Sequence, residues 1–318
     1  MGATPTPDVL DSASGVPWPV SSVWNDAWHQ FARHRLAMVG LFTFVALVLF
    51  TLLGPILYRT GIGHIDFTGS LEGPSLEHLF GLDDLGRDML ARAMLGGRIS
   101  IAVGVTSMLL AITLGMTIGA MAGFFAKLDG PLMRLTDLFL SMPVLPLLLV
   151  IVYLFRDALR AVFGPELGIF LMIVGVIGIL QWMPVARVVR ASFLSLKEQE
   201  FVVGARAIGA GNLRIITRHI MPNVLSSMIA AATIGVASAI ITESTLSFLG
   251  LGFPSDTPTW GRLLFDAKDY IDVAPHWPFF PGMLIFLTVL SINFIGDGLR
   301  DALDPRKTFN ARSATDLS

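Results

Sequence analysis

Long apolar runs separated by short polar connections dominate the chain, and this pattern sets its class. Six runs are long enough, or nearly so, to cross a hydrocarbon layer as helices: 36–58, 99–125, 135–155, 167–186, 224–245 and 279–297. In lipid a helix satisfies its own backbone hydrogen bonds, so the pattern predicts an all-α integral membrane protein with six transmembrane helices. The predicted layout is a tail with an interfacial helix (1–35), a first membrane helix (36–58), a long loop (59–97), a five-helix core (98–300) and a second tail (301–318). The first run is too long for a signal-peptide core and follows a polar tail, so it reads as a retained span.

The tail over residues 1–20 is rich in Pro, Ser, Thr and Gly and reads as disordered. From Ser22 the pattern changes. Trp24, Trp28 and Phe31 recur at i, i+4, i+7, followed by Arg33, His34 and Arg35, which suits a helix lying among lipid headgroups. A second amphipathic stretch, Ser195–Pro222, lies between two apolar runs. Ser195 and Glu198 have capping-box spacing. Phe201, Ala205 and Ile208 then form one apolar stripe, with Gly204, Ala205 and Ala207 keeping the surface low. Gly209 and Gly211 stop this helix. Asn212 caps a second one, with Leu213, Ile216 and Ile220 on one face and Arg214 and Arg218 at i, i+4. A loop that merely returns the chain to the bilayer needs no exposed apolar stripe, so this stretch reads as a docking element.

Composition narrows the picture. Of 318 residues 53% are hydrophobic and only 14% charged, too apolar for a soluble domain. The net charge of −2, without a basic block, argues against a nucleic-acid partner. Cysteine is absent, which removes disulfides and thiolate chemistry. There is no phosphate-binding G-x-x-x-x-G-K-[ST] string, no H-E-x-x-H, no G-x-S-x-G and no clustered metal-ligand spacing, so no enzyme active site is expected. Most of the 22 Lys and Arg residues fall on the side that holds both termini and 195–222, which places that side in the cytoplasm.

Polar and helix-breaking residues inside the runs are the candidates for a pathway. Pro143 and Pro146 interrupt the third run, tolerable only against protein or a water-lined cavity. Gln181 and Pro184 repeat this more weakly in the fourth. Ser226, Ser227, Thr233 and Ser238 in the fifth are able to hydrogen-bond between helices or line a polar path. Glu243 ends the fifth run. An ionisable residue there is either functional or paired for structure, and its insertion cost of about 2.5–3.5 kcal/mol at the midplane places it near the outer edge. Gly115, Gly119 and Gly123 form a ladder that packs helices closely, within the chain or against another subunit. Lys127–Pro131 reads as a tight turn, and Asp137 follows Arg134 at pairing distance. In the loop, His78–Asp88 reads as a folded turn with ion pairs, followed by a short helix from Met89 that Gly96 and Gly97 stop.

Several strings resemble one family. Val203-Gly204-Ala205, Gly209 and Ile220-Met221-Pro222 resemble the cytoplasmic Glu-Ala-Ala loop of bacterial ABC-importer permeases, with Val-Gly replacing the Glu-Ala and the nearest acid at Glu200. His78-Leu79-Phe80-Gly81-Leu82-Asp83-Asp84-Leu85-Gly86-Arg87-Asp88 is similar to the HxFGTDxxGRD signature of the C-type permease subunit of dipeptide and oligopeptide importers, with Leu82 in place of Thr. Glu243–Gly252, Trp260-Gly261, Pro275–Gly282 and Gly296–Arg306 resemble further strings of that subunit.

The resemblance implies a type I (MetI-like) ABC-importer permease fold with both termini cytoplasmic, in the bacterial inner membrane. It implies four kinds of partner: a second related permease, two ABC ATPases that hold ATP and Mg, an extracytoplasmic binding protein, and membrane lipid. No cofactor is expected in this chain. The implied coupling residues are Glu200, Gly204, Ala205, Arg206 and Gly209. The pathway or gate residues are Pro143, Pro146, Gln181, Ser238 and Glu243. The extracytoplasmic motif is Asp83, Gly86, Arg87 and Asp88. Implied substrates are dipeptides or oligopeptides, with nickel, glutathione or modified peptides as alternatives. A self-sufficient ion-driven carrier would need ionisable groups near the midplane, of which the runs carry almost none. A membrane scaffold would not need the broken third run.

Overall fold

The computed structural model describes residues 23–58, 65 and 67–303, without the side chains of residues 23–26, Thr68 and Ser227. The Trp24 side chain, residues 1–22 and residues 304–318, with Pro305 of the last string, therefore lie outside the described residues. The helices are α1 (Val23–Arg33), α2 (Arg35–Leu57), α3 (Met89–Phe124), α4 (Ala126–Ser141), α5 (Val144–Phe163), α6 (Pro165–Leu196), α7 (Glu200–Ala207), α8 (Asn212–Arg214), α9 (Met221–Phe248), α10 (Trp260–Ala267) and α11 (His276–Ala302). Among the described residues there is no β-strand, only an isolated bridge between Leu82 and Asp88. Five helices are long and apolar enough to cross a membrane, and the pair α4 and α5 makes six if taken as one broken span.

The bundle has two ends. One gathers α1, the start of α2, α7 and the end of α11; the other gathers the 67–88 loop, the start of α3, α10 and the start of α11. Gln30 Nε2 donates to the Asp301 carbonyl (3.0 Å), and an added Cβ at Gly298 would lie 2.3 Å from Ala37 Cβ, so both ends of the described chain meet at the α7 end. The outward faces of α2 and α5 are apolar and exposed, with Phe42 and Tyr153 each 77% exposed, as expected of surfaces meeting lipid or another subunit.

Helix α3 pairs most extensively with α6, and the glycine ladder explains how. A Cβ on Gly115 would lie 2.6 Å from Val185 Cβ, one on Gly119 2.7 Å from Val189 Cβ, and one on Gly123 2.5 Å from Phe193 Cβ. Both partners advance by four residues together, so the helices run parallel with their backbones nearly touching, and the ladder is used within the chain. An added methyl at such a contact forces backbone shifts costing about 1–3 kcal/mol. Around this seam Ile169, Met172, Ile173, Ile177, Met183 and Phe193 are fully buried.

Several boundaries differ from the sequence reading. Gly96 and Gly97 do not stop a helix; α3 runs through them because their missing side chains admit Thr259 and the Trp260 ring. Lys127–Pro131 is not a turn but the start of α4, and the break sits at Phe125. Asp137 pairs with Arg187, not Arg134, and Asp129 holds Arg190 through two bonds, one of 2.7 Å, so α4 is tied to α6. The third run is a bend of 88° between α4 and α5. Pro143 makes that bend as the N-cap of α5, whereas Pro146 sits in the first turn of α5, where no backbone donor is needed, and interrupts nothing. Pro184 lies inside an unbroken α6. Helix α5 continues to Phe163, which brings Arg156 and Arg160 from an expected loop into the helix.

Candidate functional site

At the loop end, buried charge organises the chain. Asp83 is fully buried, and its two carboxylate oxygens do different work. Oδ1 accepts the backbone N–H of Leu85 (2.9 Å) and Arg87 (2.8 Å), closing the turn. Oδ2 accepts Arg87 Nε (2.7 Å) and the Arg92 guanidinium. Gly86 in this turn has φ +70°, which favours glycine. Arg92, 2% exposed, also donates to the Ser255 carbonyl (2.9 Å) and approaches Asp266, which pairs with Arg262 at 2.8 Å. Asp88 caps α3 by accepting from Ala91 N (2.8 Å) and accepts Tyr58 Oη and His78 Nδ1. Burial and the neighbouring Asp83 raise the Asp84 pKa from its ordinary value, with Arg87 opposing. Asp83, Gly86, Arg87 and Asp88 thus form one turn that ties the end of α2 and the start of α3 to α10.

Glu243 belongs to this assembly. It is fully buried near the end of α9 and accepts from Ser100 Oγ of α3 (3.1 Å) and Ser247 Oγ (2.7 Å). Ser244 and Thr259 complete its shell of hydroxyls. Ser100 Oγ also accepts Trp260 N (3.2 Å), and Trp260 Nε1 donates to the Ala93 carbonyl (2.9 Å). The sequence alternative of a structural pairing with an Arg is not what is found: hydroxyls surround this carboxylate. Ser100, Arg92 and Thr259 escaped the sequence reading, because a Ser in an apolar run or an Arg beside a turn carries no local signal of its partner.

The other pathway candidates do not gather around Glu243. Pro143, Pro146 and Ser238 are exposed and Gln181 is half-buried. Ser226 and Thr233 donate to Asn223 and Ile229 carbonyls of their own helix, so they do not bridge between helices.

At the opposite end the Ser195–Pro222 stretch is built differently from its sequence pattern. Ser195 lies inside the last turn of α6, so the capping box is not formed, and α7 starts at Glu200 behind Gln199. Gly209, at φ +86°, ends α7: Gly209 N donates to the Arg206 carbonyl and Ala210 N to the Ala205 carbonyl, both 3.0 Å, a Schellman closure. Gly211 does not stop α7; it precedes α8 in extended conformation in the place expected for Asn212.

The buried face of α7 is Val202 and Ala205, so Ala205 points inward rather than joining Phe201 and Ile208 in a stripe. Exposed instead are Glu200, Phe201, Val203, Gly204, Arg206 and Ile208, the last 87% exposed. A Cβ at Gly204 would meet nothing within 4 Å. Ile215–Ile220 is π-helical, which brings residues five apart together. Ile215 and Ile220 are therefore the buried pair, where α-helical spacing selected Leu213, Ile216 and Ile220. Beside α7 a concavity of about 420 Å³ is lined by Ala205, Ile208, Gly209, Ala210, Arg214, Arg218 and His219. The implied coupling residues thus share one short helix and its closure, with Ala205 as its floor.

Among the described residues no cluster of His, Cys, Asp and Glu suits a metal. Comparison with known proteins completes the picture. Residues 111–309 match the family model of the binding-protein-dependent transport system inner membrane component, and residues 22–74 that of the N-terminal TM domain of oligopeptide transport permease C. The chain is 38% identical to the dipeptide transport system permease protein DppC of Alkalihalophilus pseudofirmus, covering 90% of each chain. It is 37% identical to the oligopeptide transport system permease protein OppC of Bacillus subtilis, again with 90% of each covered. It is also 37% identical to the glutathione transport system permease protein GsiD of Escherichia coli, with 91% of this chain and 93% of that one covered. A chain of the MetNI methionine ABC transporter, solved in inward-facing conformations, shares the fold, with TM-score 0.53 and 19% identity over 68% of this chain and 96% of that one. The chain therefore belongs to the inner-membrane permease components of binding-protein-dependent ABC importers, in the branch that includes the dipeptide and oligopeptide C-type permeases.

Proposed function

We propose that this chain forms half of the translocation pathway of an ATP-driven importer of dipeptides or oligopeptides. The relatives named for dipeptides and oligopeptides support that substrate class. The observation that carries the mechanism is the exposed surface of α7, where Phe201, Val203 and Ile208 stand exposed around an open Gly204. In this reading α7 sits in a groove of an ATPase subunit, which binds ATP and Mg, and the α7 end faces the cytoplasm with both termini. The loop end faces outward and receives the binding protein on 67–88 and 250–278. A second permease completes the pathway. ATP binding displaces α7, and the π-helical turn and α9 carry the displacement into the bundle, biasing a two-state membrane body.

A glutathione importer is the second reading, favoured by the GsiD relative. Co-purification from mildly solubilised native membranes tests the core of the proposal. Two ATPases, a second six-span protein and a binding protein are the expected companions, and the recovered binding protein then reports which peptide it holds. Recovery of the chain alone or as a homo-oligomer would contradict the coupling role and turn attention to an ion-driven carrier.

A further inference from the structure

The concavity of about 420 Å³ beside α7 carries charge of one sign. Ala205, Ile208 and Gly209, from α7 and its closure, line one part of it. Arg214, Arg218 and His219 line another, and no acid lines it. From Phe201 to Thr242 the chain contains no acid at all. Arg214 and Arg218 are exposed, and among the described residues neither guanidinium forms an ion pair or hydrogen bond. The π-helical turn Ile215–Ile220 is what gathers these bases. In an α-helix His219, five residues after Arg214, would lie about 140° around the axis from it. A π turn brings residues five apart together, so Arg214 shares its face with His219 as well as with Arg218. The helical chain runs on from here as α9, so the cations stand in its first turns, where the macrodipole favours negative charge. Like charges four residues apart on a helix also repel. The fold thus holds two arginines together without a counter-charge of its own.

We infer that this concavity receives a carboxylate side chain of the ATPase subunit that seats α7. The inference rests on the importer reading and adds the chemistry of the contact. Ala205, Ile208 and Gly209 belong to the concavity and to α7 with its closure, so a partner laid on α7 also covers the two arginines. A guanidinium presents a fork of N–H donors that matches the two oxygens of a carboxylate. Covered by the partner, such a pair is screened by salt much less than on an open surface. The division of labour follows. The exposed apolar residues of α7 supply contact area, and the carboxylate between Arg214 and Arg218 fixes the register of the helix in its groove. Because the arginines stand on the helical chain that becomes α9, movement of the ATPase acid pulls on α9 directly as well as through α7.

The test combines the purified permease pair with its ATPase subunits in nanodiscs of neutral lipid and measures the affinity between them. Arg214→Gln and Arg218→Gln each weaken association about tenfold, as expected for one lost charge-assisted bond, and the variants lose less affinity than wild type when salt is raised. Arg218→Lys keeps part of the affinity, and a water-soluble carbodiimide then condenses its amine with the facing carboxylate into an amide that joins the two subunits. Wild-type affinity in both Gln variants, or no amide between the subunits, overturns the site. So does a loss that appears only when anionic lipid is added, which would assign the concavity to a lipid phosphate. Phe201→Asp, on the exposed face of α7 outside the concavity, separates this inference from the reading beneath it. If that variant abolishes association while both Gln variants bind normally, α7 docks and the concavity is unused. A wild-type permease that binds no ATPase sinks the importer reading itself.

Discussion

The loop end and the α7 end of this permease are built on opposite principles. At the loop end a core of buried charges is matched: Asp83 to Arg87 and Arg92, Asp266 to Arg92 and Arg262, Asp88 to its cap, Tyr58 and His78. At the α7 end, the 195–222 stretch buries Val202, Ala205, Ile215 and Ile220 but leaves other apolar residues out and its charged ones unburied, with Ile208 and Leu213 among the most exposed hydrophobics of the described residues. A self-satisfied polar core is rigid, because each group holds its neighbours in place. An exposed apolar helix is a half-interface. The contrast assigns the two ends different work: one presents a fixed platform, the other awaits a partner.

This difference predicts that stability and transport separate along the molecule. The largest loss of stability is expected from Asp83→Ala, which leaves the buried Arg92 with only its longer contact to Asp266 at 3.5 Å and Arg87 without its carboxylate. Breaking such a pair costs about 3–5 kcal/mol, and the variant should fail to accumulate in the membrane or melt far below wild type in detergent. Accumulation and melting like the wild type would remove the platform from the account. Glu243→Ala comes next, since Ser100 and Ser247 lose their acceptor, at about 1–3 kcal/mol, read as a lower melting temperature; Glu243→Gln should recover part of it. Third is Gly209→Arg, whose φ of +86° costs a side chain about 1–2 kcal/mol. Here the contrast sharpens. The Gly209→Arg protein should remain in the membrane yet show uptake at background level, because bulk and charge stand where a partner must fit. Normal uptake would sink the docking role of α7.

The smallest effect belongs to Asp84. Its raised pKa means that the folded loop disfavours the ionised carboxylate, so protonation stabilises the fold at acid pH and that contribution is lost as pH rises through the folded value. Asp84→Asn should therefore raise the melting temperature slightly at neutral pH, with the gain shrinking towards pH 4. A lower melting temperature at neutral pH would contradict this sign.

What the sequence revealed follows the same division. Apolar runs report the number of spans because lipid imposes one solution on the backbone, and five helices plus a broken pair were legible from them. The glycine ladder was legible as close packing, but not its partner, because Val185, Val189 and Phe193 lie some 70 residues away in the chain. Gly96 and Gly97 were misread as a helix end because they serve packing against Thr259 and Trp260, while Pro184 is helical although exposed. The stripe on α7 was misjudged because its ends shift. The helix starts at Glu200 rather than near Ser195, and a π-helical turn moves the buried position from Ile216 to Ile215. The Asp83 turn was readable as a turn with ion pairs, whereas Ser100 and Arg92 acquire meaning only from residues far along the chain.

The most direct test of the two-ended account is cysteine cross-linking in the native complex. The chain contains no cysteine, so a single one introduced at Ile208 or at Asp84 is a unique handle. The account predicts that Ile208→Cys forms an adduct with an ATPase subunit, and that Asp84→Cys forms none with the ATPase but one with the binding protein. An ATPase adduct from position 84, or silence at 208 in a complex that still transports, would contradict it.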